Sequence, residues 1–125
     1  MKSMAFTIIG VPAKDGTCHR TTILIDNGFT GFAIMSYLFA ETLGYEFQHS
    51  NGESYRTMAG LMNTTLKVTI TGVRLPDLSH HRTFTTTFEV ASKESGNFGY
   101  KIIMGIGIMD ELKIEQSQTD KIAEQ

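Results

Sequence analysis

The stretch Ile23–Phe32, ILIDNGFTGF, carries three apolar residues directly before Asp26, with Gly28 two positions further on. Aliphatic and β-branched residues favour a strand, so the segment predicts a buried strand that ends at a carboxylate. Gly28 allows a sharp turn or a close backbone approach that a side chain would block. A buried strand holds a carboxylate rigidly, as a catalytic group requires. On this stretch alone, the more common explanation of Asp26 is a turn residue or a helix cap.

The segments around this stretch predict a mostly β domain with one or two short helices. Two β-branched runs flank the polar turn PAKDGT and predict a hairpin. Ser36 and Gly44 are a suitable N-cap and C′ residue for a short helix, because leucine and phenylalanine recur at helical spacing between them. Further strands are expected over residues 61–70, 83–91 and 100–104, and one or two helical turns over 108–112.

Length and composition indicate a single domain of an ordinary globular protein. The chain has 125 residues, which we divide into a domain at 1–115 and a polar tail at 116–125. The net charge of -2 gives no reason to expect binding to nucleic acid or to a membrane surface. A single cysteine excludes an intrachain disulfide, and no signal peptide or membrane-spanning segment is recognised. We therefore expect a cytoplasmic protein.

Asn51-Gly52 is the strongest short hairpin signal in the chain, since it lies between two segments with strand character, YEFQHS and ESYRTMAG. The dipeptide favours a two-residue turn in which both residues have positive φ. The sequence alone fits an ordinary surface hairpin at this point.

Three parts of the chain together resemble the retropepsin-like aspartic proteases, and the nearer resemblance is to the microbial clan with the signature Asp-Thr-Gly-Phe. The parts are LIDNGFTGFAIMS, the following helix YLFAETLG, and the late segment KIIMGIGIMDEL. The resemblance extends over roughly residues 6–114. The matching residues are Leu24, Ile25, Asp26, Gly28, Phe29, Gly31 and Phe32, then Leu43-Gly44, Asn51-Gly52 and Ile103-Met104-Gly105.

The resemblance implies an all-β, retropepsin-like closed β-barrel or sandwich that forms a homodimer. It implies an aspartic endopeptidase in which Asp26 of each chain faces its copy across a two-fold axis and no cofactor or metal takes part. Two such carboxylates hold one water and share one proton, because they cannot both ionise at about 3 Å. The chain has one suitable Asp-x-Gly, so the site needs two chains. The substrate is expected to be an extended peptide or protein.

Other residues take roles by the same resemblance. Ile103, Met104 and Gly105 are expected to pack beneath the loop that carries Asp26. A β-hairpin within Phe47–Met62 is expected to cover the substrate as a flap. Its tip is left open between two dipeptides, Asn51-Gly52 and Ala59-Gly60.

Asn27 is the main departure from the family pattern, which has threonine or serine between the aspartate and the glycine. That hydroxyl hydrogen-bonds across the dimer axis, and a carboxamide can also donate and accept. Asn27 is larger, however, and it stands where two chains meet, whereas Phe29 fits the microbial clan. One alternative is therefore a weak or inactive dimer that binds peptides or proteins. Another is a structural β domain in which Asp26 only caps a turn.

Cysteine and histidine residues raise the question of a metal site. Cys18-His19 and His80-His81 lack the paired spacing of a zinc site, so no metal is expected. Cys18 and His19 are also a poor nucleophile–base pair, since neighbouring side chains on a strand point to opposite faces.

Overall fold

The protein is mostly β, with one short helix among the residues described. The computed structural model describes residues 4–26, 29, 33–57, 60–93 and 100–105. The expected second helix at 108–112 and the tail at 116–125 lie outside them. In chain order the elements are β1 (Met4–Pro12), β2 (Cys18–Asp26), β3 (Ala33–Met35), α1 (Tyr37–Leu43), β4 (Gln48–Thr57), β5 (Gly60–Val73), β6 (Phe84–Ala91) and β7 (Ile102–Gly105).

β1 and β2 form the predicted N-terminal hairpin. Their antiparallel register runs from Met4 opposite Asp26 to Pro12 opposite Cys18. The turn between them is closed where the Ala13 N–H donates to the Thr17 carbonyl at 2.7 Å. The hairpin thus fixes the strand that ends in Asp26 along its whole length.

The helix α1 has the two predicted caps. The Ser36 hydroxyl oxygen accepts a hydrogen bond from the Phe39 N–H at 3.2 Å, and Gly44 ends the helix with a φ of 83°. Both arrangements satisfy backbone groups that have no partner within the helix. Phe39 and Leu43 are buried against the sheet, whereas Leu38 is exposed.

The prediction of a hairpin turn at Asn51-Gly52 is wrong. Both residues lie inside β4, and the chain reverses between Thr57 and Gly60, which are paired. Of these two residues, Gly52 has a positive φ, at 73°, and Asn51 does not, whereas the expected turn requires a positive φ at both. The dipeptide lies at a register irregularity between His49 and Glu53, where glycine accommodates a local bulge.

The described strands form one open, mixed sheet in the order β1-β2-β7-β3-β6-β5-β4. The expected closed barrel is therefore wrong, because the outermost strands β1 and β4 are not paired with each other. One isolated bridge joins Gly10 to Arg74, with N–H···O distances of 2.8 and 2.9 Å. It does not extend into a ladder because β5 ends at Val73 and the chain turns at Leu75, whose carbonyl accepts from Leu78.

Two apolar clusters lie on the sheet. The larger cluster includes Ile9, Ile23, Phe88 and Ile102 from the sheet, with Phe39 from α1. The smaller one, called here the second cluster, consists of Leu24, Phe29, Ile34, Met62, Ala91 and Ile103, with Tyr55 and Tyr100 packed against it. Successive strand residues point to opposite faces, so adjacent residues such as those at 23 and 24 belong to different clusters.

No helix in the described part of the chain is both long enough and apolar enough to cross a membrane.

Candidate functional site

Asp26 is the last residue of β2 and is fully buried, with 0% of its surface exposed. It lies between two neighbouring strands, opposite Met4 on β1 and Gly105 on β7. It shares a strand face with Leu24, because residues two apart point the same way. The carboxylate is therefore held at the end of a strand that is paired on both sides.

The chain turns immediately after Asp26. The Phe29 N–H donates to the Asp26 carbonyl at 3.2 Å, a spacing of three residues that is typical of a β-turn. Asn27 and Gly28, which were predicted to shape this loop, lie outside the described residues. The described hydrogen bond spans them and draws Phe29 back towards the end of β2.

Phe29 anchors the far side of this turn. Its side chain is 1% exposed and belongs to the second cluster. Its ring meets the ring of Tyr55 edge to face, with centroids 5.3 Å apart, a geometry that aromatic pairs prefer. Tyr55 is on β4, so this contact joins the Asp26 turn to the hairpin of β4 and β5. The sequence contained no signal for the role of Tyr55, since a strand aromatic is common anywhere in a core.

Ile103, Met104 and Gly105 lie beside β2 in the sheet, and their support of the loop that carries Asp26 stays a prediction. All three are buried on β7, where Gly105 is opposite Asp26 in a parallel pairing. On its other side β7 pairs with β3, with Ile103 opposite Ile34. The strand before the turn and the strand after it are thus both hydrogen-bonded to β7.

The hairpin of β4 and β5 lies in the segment for which a flap is predicted, and that role stays a prediction. Its reversal between Thr57 and Gly60 agrees with the second of the two tip positions, at Ala59-Gly60, although Ala59 lies outside the described residues. Opposite Tyr55 in the hairpin is Met62, which is buried in the second cluster. The hairpin therefore contacts the core that also holds Phe29.

The other titratable side chains are distant in sequence from Asp26 and do not assemble a metal site among the described residues. Cys18 is a free, exposed thiol. The His80 and His81 rings lie edge to face, with their centroids 6.2 Å apart. The pKa of Asp15 is lowered, chiefly by the hydrogen bond from the Thr17 hydroxyl and then by that from the Thr17 backbone N–H. This effect belongs to the exposed turn between β1 and β2.

A cavity of about 420 Å³ lies at the opposite end of β2 from Asp26, beside α1. His19 and Lys101 are among its lining residues. His19 is seven positions before Asp26 on the strand, or roughly 23 Å at the usual rise per residue. Asp26 is not among the residues that line the cavity.

No protein-family model, curated protein or solved structure matches this chain.

Proposed function

We propose that the protein is a homodimeric aspartic endopeptidase with a retropepsin-like domain, in which each chain supplies Asp26. The observation that carries the proposal is the position of Asp26 at the end of β2, opposite Gly105 on a parallel strand. The hydrogen bond from the Phe29 N–H to the Asp26 carbonyl adds support, since it holds a residue of the second cluster beside the end of β2. We place such an enzyme in the cytoplasm, in keeping with its single cysteine.

The proposed reaction needs one ionised and one protonated carboxylate. The ionised Asp26 takes a proton from a water molecule as this water attacks the peptide carbonyl carbon. The protonated Asp26 of the second chain gives its proton to the carbonyl oxygen, which forms a tetrahedral intermediate. When the C–N bond breaks, the first Asp26 passes the proton from water to the leaving nitrogen, and the second takes its own proton back as the C=O bond re-forms. Because the pair shares one proton, the rate should follow a bell-shaped pH profile on the acidic side of neutrality.

The proposed substrate is an extended peptide covered by the hairpin of β4 and β5. Such a hairpin can exclude water and offer backbone hydrogen bonds to an extended chain. Support comes from the contact between Tyr55 of this hairpin and Phe29 of the Asp26 turn. Through this contact, movement of the hairpin would displace Phe29 and the turn that follows Asp26.

A second candidate function is a dimer that binds peptides or proteins without cleaving them, because the burial of Asp26 weighs against catalysis. A catalytic carboxylate must reach water and substrate, and Asp26 is wholly buried in the single chain. Asn27, in place of the usual hydroxyl residue, points the same way. Under the first proposal, dimer formation or substrate binding has to uncover Asp26. Under the second, it stays covered.

Cleavage of a mixed peptide library from mildly acidic to neutral pH tests these alternatives. The wild type is compared with Asp26→Asn and Asn27→Thr at a concentration where ultracentrifugation verifies dimers. Asp15→Asn is the matched control, because Asp15 also precedes a glycine in a turn but is exposed. The proposal expects cleavage that Asp26→Asn abolishes and that Asp15→Asn retains.

The other outcomes divide the remaining alternatives. Cleavage by Asn27→Thr alone would mean that Asn27 prevents catalysis in a fold that otherwise supports it. Peptide binding by dimers without cleavage in any variant would favour the binding module. Cleavage that persists in Asp26→Asn would overturn the proposed mechanism.

A further inference from the structure

The cavity beside α1 has the volume of a small-molecule site and is open to solvent, with a lining that mixes polar and apolar residues. Its volume of about 420 Å³ lies within the range of ligand pockets, which are about 300–1,000 Å³. Leu38, which is 70% exposed, and Tyr100 supply most of the accessible apolar surface, since Phe39 is only 5% exposed. The site does not depend on Asp26 or on the proposed peptidase activity.

The aromatic surface of the cavity is paired with two basic groups. The Lys101 ammonium lies over the Phe39 ring, 5.4 Å from its centroid. The His19 ring lies edge to face with the same phenylalanine ring, with the two centroids 6.2 Å apart. Neither aspartate nor glutamate is among the described lining residues, although the exposed Asp15 carboxylate lies close enough to His19 to interact with it electrostatically.

Hydrogen bonds orient His19 at the edge of this cavity. The Thr17 hydroxyl donates its single proton to the Asp15 carboxylate at 2.6 Å. Its oxygen is therefore an acceptor for the Nε2–H of His19, which lies 3.3 Å away. This leaves Nδ1 of the imidazole for a different partner.

A hydroxyl group adds a further donor. The Ser36 oxygen accepts the N–H of Phe39 as the cap of α1, and this bond does not use the hydroxyl's own proton. Thr42, by contrast, donates its proton to the Leu38 carbonyl at 2.9 Å. The cavity thus combines a cation, an imidazole and a hydroxyl donor around an aromatic wall.

We propose that this cavity binds a small organic carboxylate with an aromatic or branched aliphatic body. The body packs against Leu38 and Tyr100, and the carboxylate accepts hydrogen bonds from Lys101 and Ser36. A neutral analogue of the same shape loses the charge-assisted contact and binds more weakly. A cationic analogue is repelled by Lys101.

Titration with 3-phenylpropionate, observed by amide chemical shifts of the full-length protein, tests the proposal. Matched probes are 3-phenylpropionamide, which is neutral, and 3-phenylpropylamine, which is cationic. With the carboxylate we expect saturable chemical-shift changes that centre on the amides of Thr42 and Lys101. The amide should bind with about tenfold lower affinity, because it loses one hydrogen bond to a charged group. The amine should give no saturable shift at these amides.

Two lysines provide a matched pair of variants. Lys93 lies over the Tyr37 ring at 5.5 Å, nearly the same geometry as Lys101 over Phe39, but it is not a lining residue of the cavity. Lys101→Gln should weaken 3-phenylpropionate binding by about tenfold, whereas Lys93→Gln should leave it within about twofold. Thr42→Met, on an exposed helix position, should also weaken binding by narrowing the cavity.

Three results would overturn the proposal. The first is the absence of saturable shifts around the cavity at millimolar 3-phenylpropionate. The second is equal affinity for the carboxylate and the amide. The third is an equal loss of affinity in Lys93→Gln and Lys101→Gln. Because the readout is binding, each result is independent of whether Asp26 supports peptide cleavage.

Discussion

Asp26 and Gly105 lie opposite each other in a parallel strand pair, although 79 positions separate them in the sequence. The pairing brings the end of β2 against the end of β7, which also pairs with β3. The strands on both sides of the Asp26 turn therefore share one central neighbour. β7 thus holds both β2, which ends in Asp26, and β3, which follows the turn. Loss of packing in β7 should therefore weaken the pairing of both strands.

Replacement of a buried β7 residue should reduce stability strongly. Ile103 is fully buried between β2 and β3, so Ile103→Ala removes packing from both and should cost about 2–5 kcal/mol in the free energy of unfolding. Ile8→Ala is the control, since Ile8 is 41% exposed and its truncation should cost far less. Urea denaturation measures both. Equal losses would contradict the central position of β7.

The contact between Phe29 and Tyr55 should appear as a coupling free energy. Edge-to-face aromatic pairs contribute about 0.5–1.5 kcal/mol beyond their burial, so Phe29→Leu and Tyr55→Leu together should cost less than the sum of the two single losses. A double-mutant cycle by urea denaturation gives this difference. Additive losses would mean that the Asp26 turn and the β4–β5 hairpin are energetically independent.

Both caps of α1 should contribute to stability. Ser36→Ala removes the acceptor for the Phe39 N–H and should cost about 1 kcal/mol. Gly44→Ala forces a side chain into a φ of 83° and should also cost about 1–2 kcal/mol. Glu41→Ala, at an exposed position of the same helix, should remain within about 0.5 kcal/mol of the wild type. Thermal denaturation distinguishes these cases.

The turn at Asp15 should make a pH-dependent contribution to stability. Its pKa is lowered in the folded protein, chiefly by the hydrogen bond from the Thr17 hydroxyl. A lowered folded-state pKa stabilises the fold above the unfolded-state pKa, and this stabilisation is lost as the pH falls through the folded-state value. Asp15→Asn should therefore lower the Tm at pH 7 and have little effect well below about pH 4. A constant Tm difference across this range would contradict the assignment.

The sequence predicted local structure well where a short pattern has one dominant physical solution. The N-terminal hairpin follows from two β-branched runs around a polar turn. The helix from Tyr37 to Leu43 follows from Ser36 and Gly44, whose side-chain oxygen and positive φ serve as its caps. These features depend on neighbours within a few residues, so no long-range contact is needed to select them.

Predictions failed where sheet contacts decide between local solutions. Asn51-Gly52 has the composition of a turn, but β4 continues along β5 and keeps the dipeptide within the strand. Of the two residues, Gly52 has a positive φ and Asn51 does not. The closed barrel was also not found, because the join between Gly10 and Arg74 is a single bridge. Pairing partners of long-range strands are not encoded in the pattern of any one strand.

The candidate site could be located only in part from the sequence. The pattern around Asp26 indicated a strand that ends at a carboxylate, and Asp26 does end β2. The contribution of Tyr55 could not be predicted, since its contact with Phe29 joins residues on separate elements. The basic, aromatic cavity was missed for the same reason: His19, Phe39 and Lys101 come from three distant segments.

Mixing of wild-type and Asp26→Asn chains tests the central claim most directly. Peptide cleavage is measured after subunit exchange at a fixed total concentration, with dimers verified by ultracentrifugation. If each active site needs Asp26 from both chains, an equal mixture should retain about a quarter of the wild-type rate, since one dimer in about four has two aspartates. A rate of about half would mean that each chain acts alone, and no cleavage by the wild type itself would contradict the proposed enzyme.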